Sequence, residues 1–145
     1  MTPIFLMILG LQAVAILVDE FYFHWQRRLP RWERWGHPLD TLFMILPMGL
    51  LAFVPVLPFW IYVATSVFSC LFITKDEWVH SQFCSPFENW LHAVLFVLHP
   101  LVLVFAWLSR LENPSILFWI LPSMGIFLLY QFIYWNIYDT DSVRS

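Results

Sequence analysis

Long apolar runs separated by short polar breaks restrict this chain to one kind of structure. A helix needs roughly 17–25 apolar residues to cross a hydrocarbon core. Runs of that kind can be placed at residues 3–24, 38–54, 57–75, 89–109 and 115–138. Composition agrees, since 61% of the residues are hydrophobic and only 12% are charged, well outside the range of a soluble domain. The expectation is an all-α integral membrane protein, a five-helix transmembrane bundle in a single domain over residues 1–145.

Prolines mark the reversals. Pro55 and Pro58, in the stretch PVLP, interrupt an apolar run that would otherwise continue from Leu42 to Ile73, because proline removes a backbone donor and disfavours helix in the residue before it. Asn113-Pro114-Ser115 marks a second turn, with Pro114 suited to the first turn of the last helix. The start of the chain lacks a basic segment before its apolar run, so no cleavable signal is expected.

Orientation follows from the basic residues, which favour the cytoplasmic side of a membrane. Arg27, Arg28, Arg31 and Arg34 lie in the first loop, Lys75 opens the third and Arg144 is in the tail, leaving Arg110 opposite. The N-terminus is therefore expected outside and the C-terminus inside, in a bacterial-type inner membrane or its equivalent. Among the carboxylates, Asp19, Glu20, Glu33, Asp40, Asp76, Glu77, Glu88, Asp139 and Asp141 fall on the inner side, and Glu112 alone falls outside. A small net charge of −3 and few basic residues exclude nucleic acid as a partner. Cys70 and Cys84 form neither a CxxC motif nor a disulfide framework.

The inner polar residues carry a repeated pattern. DEFYFH at residues 19–24 resembles DEWVH at residues 76–80, and each is followed, after a proline, by an E-x-x-x-H segment: Glu33 to His37, then Glu88 to His92. The pattern reads as two parallel helix hairpins, repeat one at about 3–54 and repeat two at about 57–109, with a fifth helix at about 115–138. In an α-helix only one acid of each pair, Asp19 or Glu20 and Asp76 or Glu77, is expected to point inward.

Residues three or four apart on a helix share a face. Glu20 with His24, Glu33 with His37, Glu77 with His80, and Glu88 with His92 can each present a carboxylate and an imidazole together. Asp19, Asp40, Asp76 and His99 are further candidates, His99 because an ionisable group inside an apolar run is costly. Mixed carboxylate and imidazole donors suit iron, manganese or zinc, and the inventory matches that of dinuclear carboxylate bundles. The similarity is to a ligand set, not to a family. On helix five, Tyr130, Tyr134 and Tyr138 form a stripe that reads as packing, or as hydrogen-bond support for the site along with Gln131 and Asn136.

These features lead to an expected membrane-embedded metalloenzyme. Its two iron or manganese ions, with zinc as the other choice, would serve an oxidoreductase acting on a lipid or other hydrophobic substrate. Oxygen-dependent chemistry would require an external electron donor, because the chain carries no flavin or nucleotide motif. The alternative from a different class is a divalent-metal transporter, channel or sensor built on the same ligands.

Overall fold

The computed structural model describes residues 1–139 apart from the side chains of Asp76, Trp78, Val79 and Phe83. The candidate ligand side chain of Asp76, and the residues Asp141 and Arg144 of the charge asymmetry, lie outside the described residues. The described chain is all-helical. Helix α1 spans Thr2–Arg27 and α2 spans Arg31–Phe53. Helix α3, Phe59–Phe72, passes through a 3-10 turn at Ile73–Asp76 into a short α4, Glu77–Phe83. Helix α5 spans Pro86–Arg110 and α6 spans Ile116–Tyr138.

Helices α1, α2, α5 and α6 are long and apolar enough to cross a membrane. The third of the five expected spans differs. The α-helical run of α3 holds 14 residues, about 21 Å at 1.5 Å per residue, and its continuation carries Lys75, Asp76 and Glu77.

Turns form where the prolines place them. Residues 54–58 separate α2 from α3, and Arg110 closes that reversal by donating from Nη2 to the carbonyls of Val54 and Pro55 at 2.8 and 2.7 Å. These are acceptors that the end of a helix leaves without partners. At the same end of the molecule, Glu112 accepts from the backbone N–H of Thr2 at 2.9 Å, and its hydrogen bond with the Met1 ammonium holds the Glu112 carboxyl at about 2. Pro114 sits just before α6, whose cap is Ser115.

Helix α2 begins seven residues earlier than the sequence pattern suggests, at Arg31, because Pro30 is extended and Pro38 is carried inside the helix. A proline there leaves the carbonyl four residues back without its helical donor. The Arg34 carbonyl is served by Asn136 Nδ2 at 3.0 Å. This early start puts Glu33 and His37 on helix.

Helix α1 packs along α5, and α2 packs between α3 and α6, with α3 also touching α5. The two ends of the bundle differ in chemistry. One end is an apolar core around Phe5, Met48, Leu103 and Leu117, tied by a 2.6 Å hydrogen bond from the Tyr62 hydroxyl to the Leu103 carbonyl. The other end buries Asp19, Glu20, His24, Glu33, Arg34, Glu88 and His92. The outward faces are apolar. Exposed tryptophans lie towards both ends, Trp60 and Trp119 at one and Trp32, Trp35 and Trp90 at the other.

Arg34 fastens α2 to the end of α6. It is 4% exposed, and it donates to the carbonyls of Leu29, Trp135 and Asp139 at 2.8, 3.0 and 2.6 Å and to the Asp139 carboxylate at 3.3 Å. Removing one member of a buried charged network typically costs about 3–5 kcal/mol, whereas an exposed ion-pair residue contributes about 0–1 kcal/mol. Arg34→Ala is therefore expected to lower the unfolding temperature in detergent by many degrees, and substitution of the exposed Arg31 by Ala to leave it nearly unchanged. Circular dichroism melts of the two variants check this.

Candidate metal centre

The site begins with a change of helical pitch in α1. Asp19–His24 forms a π-helical segment, in which each turn takes in an extra residue and positions five apart come together. His24 consequently reaches two acids: its Nε2 lies 3.2 Å from Asp19 Oδ2 and its Nδ1 lies 3.6 Å from Glu20 Oε2. An α-helix would let one of them face inward. Here both are buried, at 6% and 1% exposure, so the expectation of a single inward acid in this pair does not hold. Counting from the acidic pair to the histidine, DEFYFH is one residue longer than DEWVH, and the widened turn absorbs the additional residue.

Each buried acid has partners from a distant helix. Asp19 Oδ1 lies 3.1 Å from His92 Nε2 on α5. Glu20 accepts from Trp135 Nε1 and, at 3.3 Å, from Gln131 Nε2 on α6. Thr41 fixes Gln131 in turn by donating to its Oε1 at 2.7 Å. Glu33, fully buried, lies 3.5 Å from His80 Nε2 and 4.0 Å from His37 Nε2. Glu88 does double duty. Its backbone and one carboxylate oxygen form a capping box with Ser85 at the start of α5, and its Oε1 accepts from Arg27 Nη2 at 3.1 Å.

Arg27, one of the four loop arginines whose charge marks orientation in the sequence, points into the site. Its Nη2 is 3.0 Å from Glu33 Oε2 as well as 3.1 Å from Glu88 Oε1, so one guanidinium nitrogen joins the two E-x-x-x-H segments. Arg34 turns inward too. Neither turn of direction has a signal in the sequence, where both residues belong to a run of four loop arginines.

The imidazoles gather in two matching pairs. The rings of His24 and His37 have centroids 4.5 Å apart and planes inclined by 45°, and those of His80 and His92 are 4.4 Å apart and inclined by 42°. Ligand-type atoms converge in overlapping groups: Asp19, His24, Glu88 and His92 form one, His24, Glu33 and His37 a second, and His80, Cys84 and His92 a third, each with donor atoms within 4.8 Å of one another. Opposite ligands of an ion bound at about 2.1 Å stand about 4.2 Å apart, so these groups are compact enough to close on an ion with small side-chain movements.

Hydrogen bonding leaves several of these atoms over. Both ring nitrogens of His24, Nε2 of His37 and Nδ1 of His92 are buried without a hydrogen-bond partner, an uncommon state for buried polar atoms. For His24, Asp19 Oδ2 stands at 3.2 Å without making a hydrogen bond, and Glu20 Oε2 at 3.6 Å lies just beyond reach. That geometry suits a third body held between them.

The remaining candidates stand apart. Glu77 is half-buried and joins none of these groups, although its Oε2 is also buried without a hydrogen bond. Asp40 holds Lys75, with both carboxylate oxygens 2.8 Å from Nζ. His99 lies between Gln12 Nε2 at 3.2 Å and Ser69 Oγ at 2.8 Å, with both ring nitrogens engaged, which makes it a polar tie among α1, α3 and α5. On α6, Tyr130 and Tyr134 stack at 5.5 Å and Tyr138 is exposed.

Comparison with protein-family models, with curated proteins and with solved structures finds no match to this chain.

Cys84 offers a simple check on the packing of the loop between α4 and α5. Burial pushes its thiol up from the ordinary range, and the thiolate is the form that alkylates. Modification by iodoacetamide at pH 7–8 is expected to be at least about tenfold slower in the folded protein than for a free cysteine of pKa about 8.5, and to recover in denaturant. A native rate equal to that of free cysteine contradicts this packing.

Proposed function

We propose that this protein is a membrane-embedded metalloenzyme whose cluster of Asp19, Glu20, His24, Glu33, His37, His80, Glu88 and His92 holds two iron or manganese ions, zinc being the other choice. The observation that carries the reading is the burial, at one point, of imidazole nitrogens without hydrogen-bond partners among carboxylates gathered from α1, α2 and α5. Charge supports it. Asp19, Glu20, Glu33 and Glu88 carry four negative charges into the bundle, Arg27 returns one, and Lys75 and Arg34 are engaged with Asp40 and Asp139. Buried charges must be compensated; Arg27 leaves three of the four negative charges, and two divalent cations would bring four positive ones.

The same residues support an internal duplication. Repeat one contributes the His24–His37 pair and Glu33, repeat two contributes the His80–His92 pair and Glu88, and the two glutamates meet on one nitrogen of Arg27. The apolar helices support membrane insertion, and the arginines of the first loop favour placing the N-terminus outside.

A pair of iron or manganese ions would supply redox chemistry with dioxygen as oxidant and electrons from an external donor, whereas zinc, which has no redox chemistry, would not. The chain's own groups bind the ions, limit the net charge and give the site an apolar approach. A cavity of about 570 Å³ ends on Asp19, Glu20, His37, His80 and His92, within the roughly 300–1,000 Å³ usual for small-molecule sites. Its other walls are mostly aliphatic and aromatic, which fits a lipid or other hydrophobic substrate. Transport of the metal is less well supported, because the buried residues beyond His99 include Phe5, Met48, Leu103 and Leu117 and form an apolar barrier.

A second reading rests on Arg27. With its guanidinium bridging Glu33 and Glu88, the cluster can serve as an ionic tie closed by protonated histidines. Elemental analysis of protein purified without chelators separates the two. The metalloenzyme is expected to carry about two ions per chain, His92→Gln and Glu33→Ala to lose at least one of them, and His99→Gln to keep both. Oxygen uptake with a reductant should follow the bound metal. Protein that binds none of the three metals on reconstitution leaves the ionic tie.

A further inference from the structure

The cavity that ends on the cluster has an opening in its side wall. Ala13, Leu17 and Phe21 line it at successive turns of α1, and Ser123, Ile126 and Tyr130 line it from α6. Several of these are outer-surface residues as well: Leu17 is 44% exposed, Phe21 41% and Ile126 69%. Helix α1 makes its long contact with α5, and α6 makes its own with α2; along the cavity the seam between α1 and α6 has no such long contact.

At its charged end the seam is shut by aromatic rings. Phe21 meets Tyr130 at 5.3 Å, Trp25 Nε1 donates to the Tyr130 hydroxyl at 3.0 Å, and Trp25 stacks on Tyr134 at 5.7 Å. The opening therefore lies above this clasp, among apolar outward side chains. Leu9 and Asp19 both line the cavity, and ten residues of helix separate them, about 15 Å, or half of a hydrocarbon core about 30 Å thick. The wall along that length is mostly apolar, and its polar members are engaged: His99 has both nitrogens turned to Gln12 and Ser69, Thr41 donates to Gln131, Gln131 donates to Glu20, and the Ser123 hydroxyl donates to the Ile120 carbonyl.

We propose that the cavity takes the hydrocarbon tail of a membrane lipid, entering sideways from the bilayer through the seam bounded by Ala13, Leu17, Ser123 and Ile126 and bringing a carbon of that tail beside the carboxylate and imidazole cluster. This rests on the cluster being the reactive centre, and it names the substrate class and the route. A polar headgroup stays outside the clasp, near the interface. A water-soluble substrate has no comparable way in along this seam, because the rings of Phe21, Trp25 and Tyr130 close its polar end.

The test uses the full protein in phosphatidylcholine and phosphatidylglycerol vesicles that contain a trace of phospholipid with a diazirine at mid-chain. After irradiation, adducts are located by peptide mass spectrometry, in metal-loaded and in chelator-treated samples. Adducts are expected on cavity-wall residues such as Ile16, Met44, Leu95 and Phe96, in addition to outward residues such as Met7 and Val14. Ala13→Trp and Leu17→Trp, which fill the seam, should lower the cavity adducts several-fold and leave the outward ones, which also report that each variant is inserted and folded. Adducts confined to outward residues, or cavity adducts indifferent to both variants, overturn the proposal. Because labelling is read with and without metal, its failure is distinct from a failure to bind metal.

Discussion

Placing four carboxylates inside an apolar helix bundle is the constraint on which the rest of this protein turns. Each buried charge costs several kcal/mol in desolvation even after relaxation, and Asp19, Glu20, Glu33 and Glu88 are all at 6% exposure or less. The fold answers with direct partners for each. Glu20 is met by two donors from α6, Glu33 and Glu88 by the Arg27 guanidinium, and Asp19 by two imidazoles. His92, Gln131 and Trp135, and for Glu88 the Arg27 guanidinium, come from helices distant in sequence, so the charge cluster and the packing of the charged end specify each other.

Local irregularities in the helices follow from the same need. The π-helical segment of α1 lets Asp19 and Glu20 both turn inward around His24. Pro38 inside α2 leaves a carbonyl that Asn136 of α6 satisfies, and Arg34 bonds to the end of α6 nearby. A second π-helical segment, Tyr134–Tyr138, contains the buried Trp135 that reaches Glu20. Such segments are frequent at functional sites because they aim side chains that a regular helix cannot.

Much of the architecture can be read from the sequence because it rests on local chemistry. Apolar runs and the proline breaks at Pro55, Pro58 and Pro114 place the helices and their turns, and the E-x-x-x-H spacing pairs Glu33 with His37 and Glu88 with His92, although the apolar run at 38–54 starts too late to show Glu33 and His37 on helix. Other parts depend on contacts that no local pattern carries. Arg27 and Arg34 look like Arg28 and Arg31 along the chain, and only the approach of α5 and α6 turns them inward. Reading Asp19 and Glu20 as alternatives assumed 3.6 residues per turn, an assumption that the π-helical hydrogen bonds remove. His99 is costly in a hydrophobic run until Gln12 and Ser69, 87 and 30 residues away, are seen beside it.

The proposal that the cluster holds a pair of metal ions in carboxylate and imidazole ligands has a direct physical test. X-ray absorption at the metal edge of the reconstituted protein examines that most directly. The account predicts a nitrogen and oxygen shell at about 2.0–2.2 Å, multiple scattering from imidazole, and a second metal at roughly 3.5–4 Å. A shell dominated by sulphur, or a metal without imidazole scattering and without a neighbouring ion, contradicts it.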